Sequence, residues 1–198
     1  MSASQSKKLE APASEHVCPW QHVYLLDNFL RPLLHNPRKM FTPYVKSGMK
    51  ALDIGCGRGF ASLGLAHLVG ETGLVVAADL QPEMLEMVGR RALKAKLTNR
   101  IRLHQCGSAT TDLHENFDFV LAFWMAHERP DPDGFLHEVY HLLNPGGNFY
   151  LIEPKMHVSA KDFIDFTSQA GSIGFIKKAN PSVRLSRAVV LSKPDQNF

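Results

Sequence analysis

Ala51-Leu-Asp-Ile-Gly-Cys-Gly-Arg-Gly-Phe60 is the stretch on which the reading of this chain turns. A short apolar run ends at Asp53, glycines follow at alternate positions (Gly55, Gly57, Gly59), and an amphipathic segment from Phe60 to Val69 begins at once. The pattern predicts a strand, a tight turn and a helix start. Glycine lets the backbone take left-handed angles there and lets a ligand approach without Cβ atoms in the way. The free N–H groups that open the helix suit a negative group. A dinucleotide-binding turn, Gly-x-Gly-x-x-Gly, would need its third glycine at position 60, which is Phe.

The surrounding chain is that of an ordinary globule. Its 198 residues suit one domain with a proper core, 44% of them are hydrophobic and 21% charged. A net charge of +3 is too mild to call for a nucleic-acid partner. Basic residues thicken between Arg90 and Arg102, as on a solvated helix face. Cys18, Cys56 and Cys106 are odd in number and far apart, which favours a reducing, cytoplasmic setting over a disulfide framework. No apolar run reaches the roughly 18 residues of a membrane span. The opening MSASQSKKLEAPASE lacks the apolar run of a secretory signal and reads as a loose tail.

Taken in order, the chain alternates. A helical pattern runs from Gln21 to His35, divided by Pro32, and a short segment follows Pro37 as far as Val45. Strands are expected at Lys50–Ile54, Leu74–Ala78, Ile101–Gln105, Phe117–Phe123 and Asn148–Glu153. Helices are expected from Gly59, Pro82, Pro132 and Ser159, with Asn144–Gly147 as a turn before the fifth strand. Two β-like runs close the sequence, Phe175–Lys178 and Val183–Leu191, and should pair antiparallel. Such alternation predicts an α/β fold, a mostly parallel sheet with helices on both faces. In such sheets ligands bind beyond the carboxyl ends of the strands.

Asp-x-Gly-x-Gly-x-Gly, with the strand-end acid Asp79 and the closing hairpin, resembles class I S-adenosylmethionine-dependent methyltransferases. The likeness runs from about Met40 to Pro154 and is strongest to the small-molecule branch that includes quinone and arsenite methyltransferases. It implies a Rossmann-like, seven-stranded methyltransferase domain over residues 47–198, preceded by a flexible tail (1–16) and a helical lid segment (17–46), a segment that otherwise reads as a helix packing on the sheet. It also implies S-adenosylmethionine as cofactor, S-adenosylhomocysteine as product and a small-molecule acceptor. Asp53, Gly55, Cys56 and Gly57 would cradle the cofactor's amino-acid end, with Asp53 either facing its ammonium or orienting the loop.

Asp79 would accept from the ribose hydroxyls or else cap the helix at Pro82. Leu80 and Gln81 would lie around ribose and adenine. Ser108 and Ala109 stand where the family carries Gly-Asp-Ala, so the usual carboxylate is absent and Asp112 is a possible stand-in. Phe123 would offer strand-end carbonyls, and Trp124 a substrate platform or a core aromatic. His127 and Glu128 are candidate catalytic residues, with His127 as base or as a structural cap on its loop. Glu153 and His157 are weaker candidates at the next strand end.

Several classes are disfavoured. Ala-Phe-Trp-Met occupies the place of the Asn/Asp-Pro-Pro-Tyr/Phe motif of amine methyltransferases acting on adenine or glutamine. No cysteine is placed as a nucleophile, and no metal-ligand spacing is present. A catalytically silent cofactor-binding module and a nicotinamide-dependent reductase remain the rival readings.

Overall fold

A computed structural model describes residues 35–195. The expected tail and the helix from Gln21 lie outside these residues, except for His35 itself. The described part of the lid segment holds a short helix, α1 (Pro37–Phe41), whose Asn36 side chain accepts from the Lys39 N–H. Seven strands then form one sheet in the order β3-β2-β1-β4-β5-β7-β6. They are β1 (Lys50–Ile54), β2 (Leu74–Asp79), β3 (Ile101–Gln105), β4 (Phe117–Phe123), β5 (Leu143–Pro154), β6 (Ile176–Ala179) and β7 (Ser186–Ser192). The longer helices are α2 (Phe60–Val69), α3 (Pro82–Lys94), α4 (Pro132–Leu142) and α5 (Ala160–Ile173).

β1 to β5 pair parallel, and β7 enters antiparallel between β5 and β6. Side chains alternate across a strand. Ala51, Phe119 and Ile152 therefore join one apolar cluster with α1, α2 and α3, while Leu52, Val120 and Leu151 join a second with α4 and α5. With both faces covered, the central strands read as continuous apolar runs.

Two expectations at the sheet are corrected. Asn144–Gly147 is an irregularity inside β5 rather than a turn before it: Phe117 pairs with Leu143, Phe119 with Asn148, and the register shifts between them. Pro145 has no N–H to give the ladder, and Gly146 takes φ +74 with its N–H on the Lys193 carbonyl, 2.9 Å away. The last strand starts at Ser186, not Val183, because Leu185 has φ +59 and the Ser186 N–H turns back to the Val183 carbonyl at 3.1 Å.

Helix starts follow the caps. Asp131 accepts from the Gly134 N–H at 2.9 Å and opens α4. Ser159 accepts from the Asp162 N–H at 3.1 Å and opens α5. The sheet and these starts bring the carboxyl ends of β1, β2, β4 and β5 to one edge.

Candidate functional site

The glycine turn after β1 has the left-handed angles its spacing predicts: φ is +65 at Gly55, +50 at Gly57 and +79 at Gly59. The first two glycines serve different ends. A Cβ on Gly55 would lie 2.8 Å from the Met125 side chain, so this glycine lets the loop after β4 close on the turn. A Cβ on Gly57 would meet nothing within 4 Å. That position faces open space, the cradle a ligand would fill.

Asp79 organises the cradle. Its Oδ2 accepts from the Gly57 N–H at 2.8 Å and its Oδ1 from the Gln81 N–H at 3.0 Å. It does not cap α3, whose N-cap is Gln81. Only 7% of Asp79 is exposed. Burial pushes its carboxyl above the usual range, opposed by the backbone N–H groups of Gln81, Gly57 and Leu80. A carboxylate can accept about four hydrogen bonds, so this buried group gains from further donors.

Asp53, 1% exposed, accepts from the Ser62 hydroxyl at 2.5 Å and so braces β1 against α2. Cys56 is buried, and its N–H reaches the Ala78 carbonyl at 3.0 Å, tying the turn to β2. Burial, then the charge of Asp53, pushes the Cys56 thiol well up. Burial, then Asp79, takes Cys106 up to about 12. Both are held as neutral thiols, unsuited to nucleophilic attack.

Ser108 and Ala109 are exposed on the loop after β3. Asp112, at φ +56, folds back so that its Oδ2 lies 2.5 Å from where a Cβ on Gly107 would be. This sets a carboxylate beside the segment whose usual acid is missing. Residues that sequence reasoning passed over hold the loop in place. Arg129 donates to the Ala109 carbonyl and lies 3.6 Å from Glu138, whose Oε1 accepts from both the N–H and the hydroxyl of Thr111 at 2.6 Å. Nothing in the spacing of these three residues links them. Leu80 is exposed next to Asp79.

At the exit of β4, Phe123 is buried and Trp124 stands at φ +63, a strained angle for a bulky residue. The Trp124 N–H bonds the Ile152 carbonyl at 2.8 Å and its Nε1–H the Ser186 hydroxyl at 2.9 Å. Its ring meets those of His35 and Phe123 edge-on, at 5.4 and 5.5 Å. The ring thus belongs to an aromatic cluster at the strand ends.

One turn further on, His127 Nδ1 bonds Glu153 Oε2, while Glu153 Oε1 accepts from the Ala126 N–H at 2.9 Å. Glu153 is 3% exposed. The bond to Glu153 raises the His127 pKa against the effect of burial, and the charges of Glu153 and Glu128 add to the rise. His157 lies with its ring 5.5 Å from that of His127. These groups line a cleft of about 380 Å³ beneath α5, walled by Leu151, Val158, Phe163 and Phe166. The Glu128 N–H bonds the Met125 carbonyl at 3.1 Å, and its side chain is half-buried. Among the described residues there is no His/Cys/Asp/Glu cluster suited to a metal and no helix long and apolar enough to cross a membrane.

A glycine cradle at β1, an acid at the end of β2 and an antiparallel β7 inside the sheet are together the arrangement of the class I methyltransferase fold. A family profile described as a methyltransferase domain matches residues 45–178, and the chain belongs to that family. A demethylmenaquinone methyltransferase of Lactobacillus johnsonii is 34% identical over 113 residues, covering 55% of this chain and 45% of its own length. A ubiquinone/menaquinone biosynthesis C-methyltransferase of Shewanella frigidimarina is 30% identical over 158 residues, covering 76% and 62%. The chain thus spans about half the length of the curated relatives it matches, 45% to 62% in these two. Among solved structures, a SAM dependent methyltransferase from Aquifex aeolicus superposes with TM-score 0.79 at 24% identity, covering 88% of this chain and 98% of that one. The [4+2]-cyclase SpnF superposes with TM-score 0.68 at 14% identity, covering 80% of each chain. These likenesses concern the fold.

Proposed function

We propose that this protein transfers a methyl group from S-adenosylmethionine to a small-molecule acceptor. The observation that carries the reading is the cradle: the buried carboxylate of Asp79, held by the Gly57 and Gln81 N–H groups beside the open face of Gly57, in a chain of the methyltransferase-domain family. The residues present fit the cofactor. Asp79 offers acceptor capacity to a ribose diol, the turn offers backbone N–H groups to a carboxylate, and Gly57 leaves the room. Asp112, folded back against Gly107, offers a carboxylate next to Ser108 and Ala109.

S-adenosylmethionine supplies a methyl group on a sulfonium, already a good leaving group. What this chain adds is placement and the exclusion of water. The turn and Asp79 fix one partner at the ends of β1 and β2. The cleft beside His127 and Glu153 receives the other at the ends of β4 and β5, with His127 as base. The two relatives above are quinone-pathway methyltransferases by name, which favours a compact, largely apolar acceptor, and the walls of the cleft agree.

The test is calorimetric titration of the chain with S-adenosylmethionine, S-adenosylhomocysteine and NADH, followed by transfer assays with labelled methyl donor and hydroquinone acceptors. Micromolar binding of the first two but not NADH is expected. Preference for NADH would return the chain to the reductase reading. Binding without turnover on any acceptor would leave a silent binding module.

A further inference from the structure

We propose that Glu153 is the positioning residue that makes His127 a base, and that the cleft beneath α5 is where the methyl acceptor gives up its proton. This rests on the methyl-transfer reading and adds the class of acceptor. The acceptor arrives carrying an acidic proton, on a hydroxyl (the ring hydroxyl of a hydroquinone included) or an ammonium group, unlike a thioether or tertiary amine, which needs no base.

The geometry leaves the ring little choice. A carboxylate only accepts hydrogen bonds. With Glu153 Oε2 on His127 Nδ1, that nitrogen holds the proton of the neutral ring, and Nε2 is left as the basic atom. Glu153 Oε1 takes the Ala126 N–H at 2.9 Å, so the acid is fastened to the same short turn that carries His127. Carboxylate and imidazole are thus placed as one unit.

Glu153 sits on the β5 face that also carries Phe149 and Leu151, both buried in the apolar cluster under α4 and α5. A carboxylate 3% exposed among such neighbours is costly unless bonded. An apolar residue would simply extend that cluster. What the carboxylate adds there is the orientation of His127, in a wall of the 380 Å³ cleft.

The step balances. The acceptor's proton passes to His127 Nε2 while the electron pair of its nucleophilic atom forms the new bond to the methyl carbon. The bond between sulfur and that carbon breaks with its electrons going to sulfur. The products are methylated acceptor, neutral S-adenosylhomocysteine and an imidazolium paired with Glu153. The charged and titratable groups around the ring are Glu128 on its own turn, Glu153 and His157 from β5 and beyond, Asp162 and Asp165 on α5, and Arg187 opposite Glu153 on β7.

The experiment is long-range proton–nitrogen NMR on the full chain with labelled histidine, with S-adenosylhomocysteine added, in the native protein and in Glu153→Gln. The chain carries 10 histidines, and His127 is assigned from the signals lost in His127→Gln. The native neutral ring should be protonated at Nδ1. In Glu153→Gln the amide oxygen can keep the Ala126 N–H while its NH₂ faces Nδ1. The ring should then switch to Nε2–H, and its titration midpoint should fall by about one pH unit.

A native ring protonated at Nε2, or an unchanged tautomer and midpoint in folded Glu153→Gln, overturns the proposal. Should the variant fail to fold, the native tautomer decides alone. Calorimetry on the same native sample separates the two readings. If S-adenosylhomocysteine does not bind, methyl transfer fails whatever the histidine shows. If it binds while the ring is Nε2–H, only the base fails.

Discussion

The two halves of the site are built by different means. The half at β1 and β2 is local. Its glycine turn, the strand-end acid Asp79 and the Gln81 N–H all lie within the first crossover, and its bonds run through backbone groups to one carboxylate. The half at β4 and β5 is assembled at long range by side chains: Glu153 with His127, Trp124 with Ser186, Arg129 with Ala109 and Glu138. A local cradle tolerates little change because its backbone angles are left-handed. A long-range cleft can be reshaped by replacing the side chains that wall it. If the proposed function holds, cofactor and acceptor are handled by parts that can vary independently.

Asp79→Ala should break the first half most severely. It removes the acceptor for the Gly57 N–H along with the proposed ribose contact, and S-adenosylhomocysteine binding should weaken about 100-fold by calorimetry. An equal effect from Glu153→Ala on that binding would erase the distinction between the halves.

The glycines sharpen it further. Gly55→Ala puts a Cβ 2.8 Å from Met125 at φ +65 and should cost about 3 kcal/mol of stability in urea unfolding. Gly57→Ala meets no neighbour within 4 Å and should cost only about 1 kcal/mol. It should nonetheless weaken cofactor binding at least tenfold, because the space it fills is the ligand's.

Within the second half the effects are smaller. Trp124→Phe deletes the Nε1–H bond to Ser186 and should cost about 1 kcal/mol in the same measurement. The pair of His127 and Glu153 should appear in the pH dependence of stability. The His127 pKa is raised in the folded chain. Its stabilisation is therefore fully present below the ordinary histidine value of about 6.5 and is lost as the pH rises through the folded value. The stability gap between the native chain and His127→Asn should be wider at acid than at alkaline pH, by no more than about 1 kcal/mol for a side chain still 22% exposed. A gap that widened with pH would show that the charged ring is not favoured by the fold.

How legible these parts were in the sequence follows the same division. Continuous apolar runs marked the central strands because both faces of the sheet are covered. Asp-x-Gly-x-Gly-x-Gly announced its turn because each glycine answers a local backbone requirement. Asn144–Gly147 misled because a Pro-Gly-Gly stretch looks alike in a turn and in a bulge, and only pairing with β4 tells them apart. The run Val183–Leu191 begins three residues before the true strand start at Ser186, because apolar content does not reveal that Leu185 turns left-handed. In the half at β4 and β5, His127 and Glu153 could be named from their strand-end positions, but not that they bond each other. The bracket of Arg129, Glu138 and Thr111 left no trace, since its members come from a loop, a helix and another loop.

The place of β7 in the sheet sets an order of completion during synthesis. β5 has one edge covered by β4 as soon as both exist, but its other edge waits for residues 186–192, made only after α5 and β6. The cradle at β1 and β2 can close while the ribosome is still extending the chain. The indole N–H of Trp124 must wait for Ser186. A nascent chain stalled before β7 should therefore have its glycine turn in place but an unpaired β5 edge exposed to chaperones and to its neighbours.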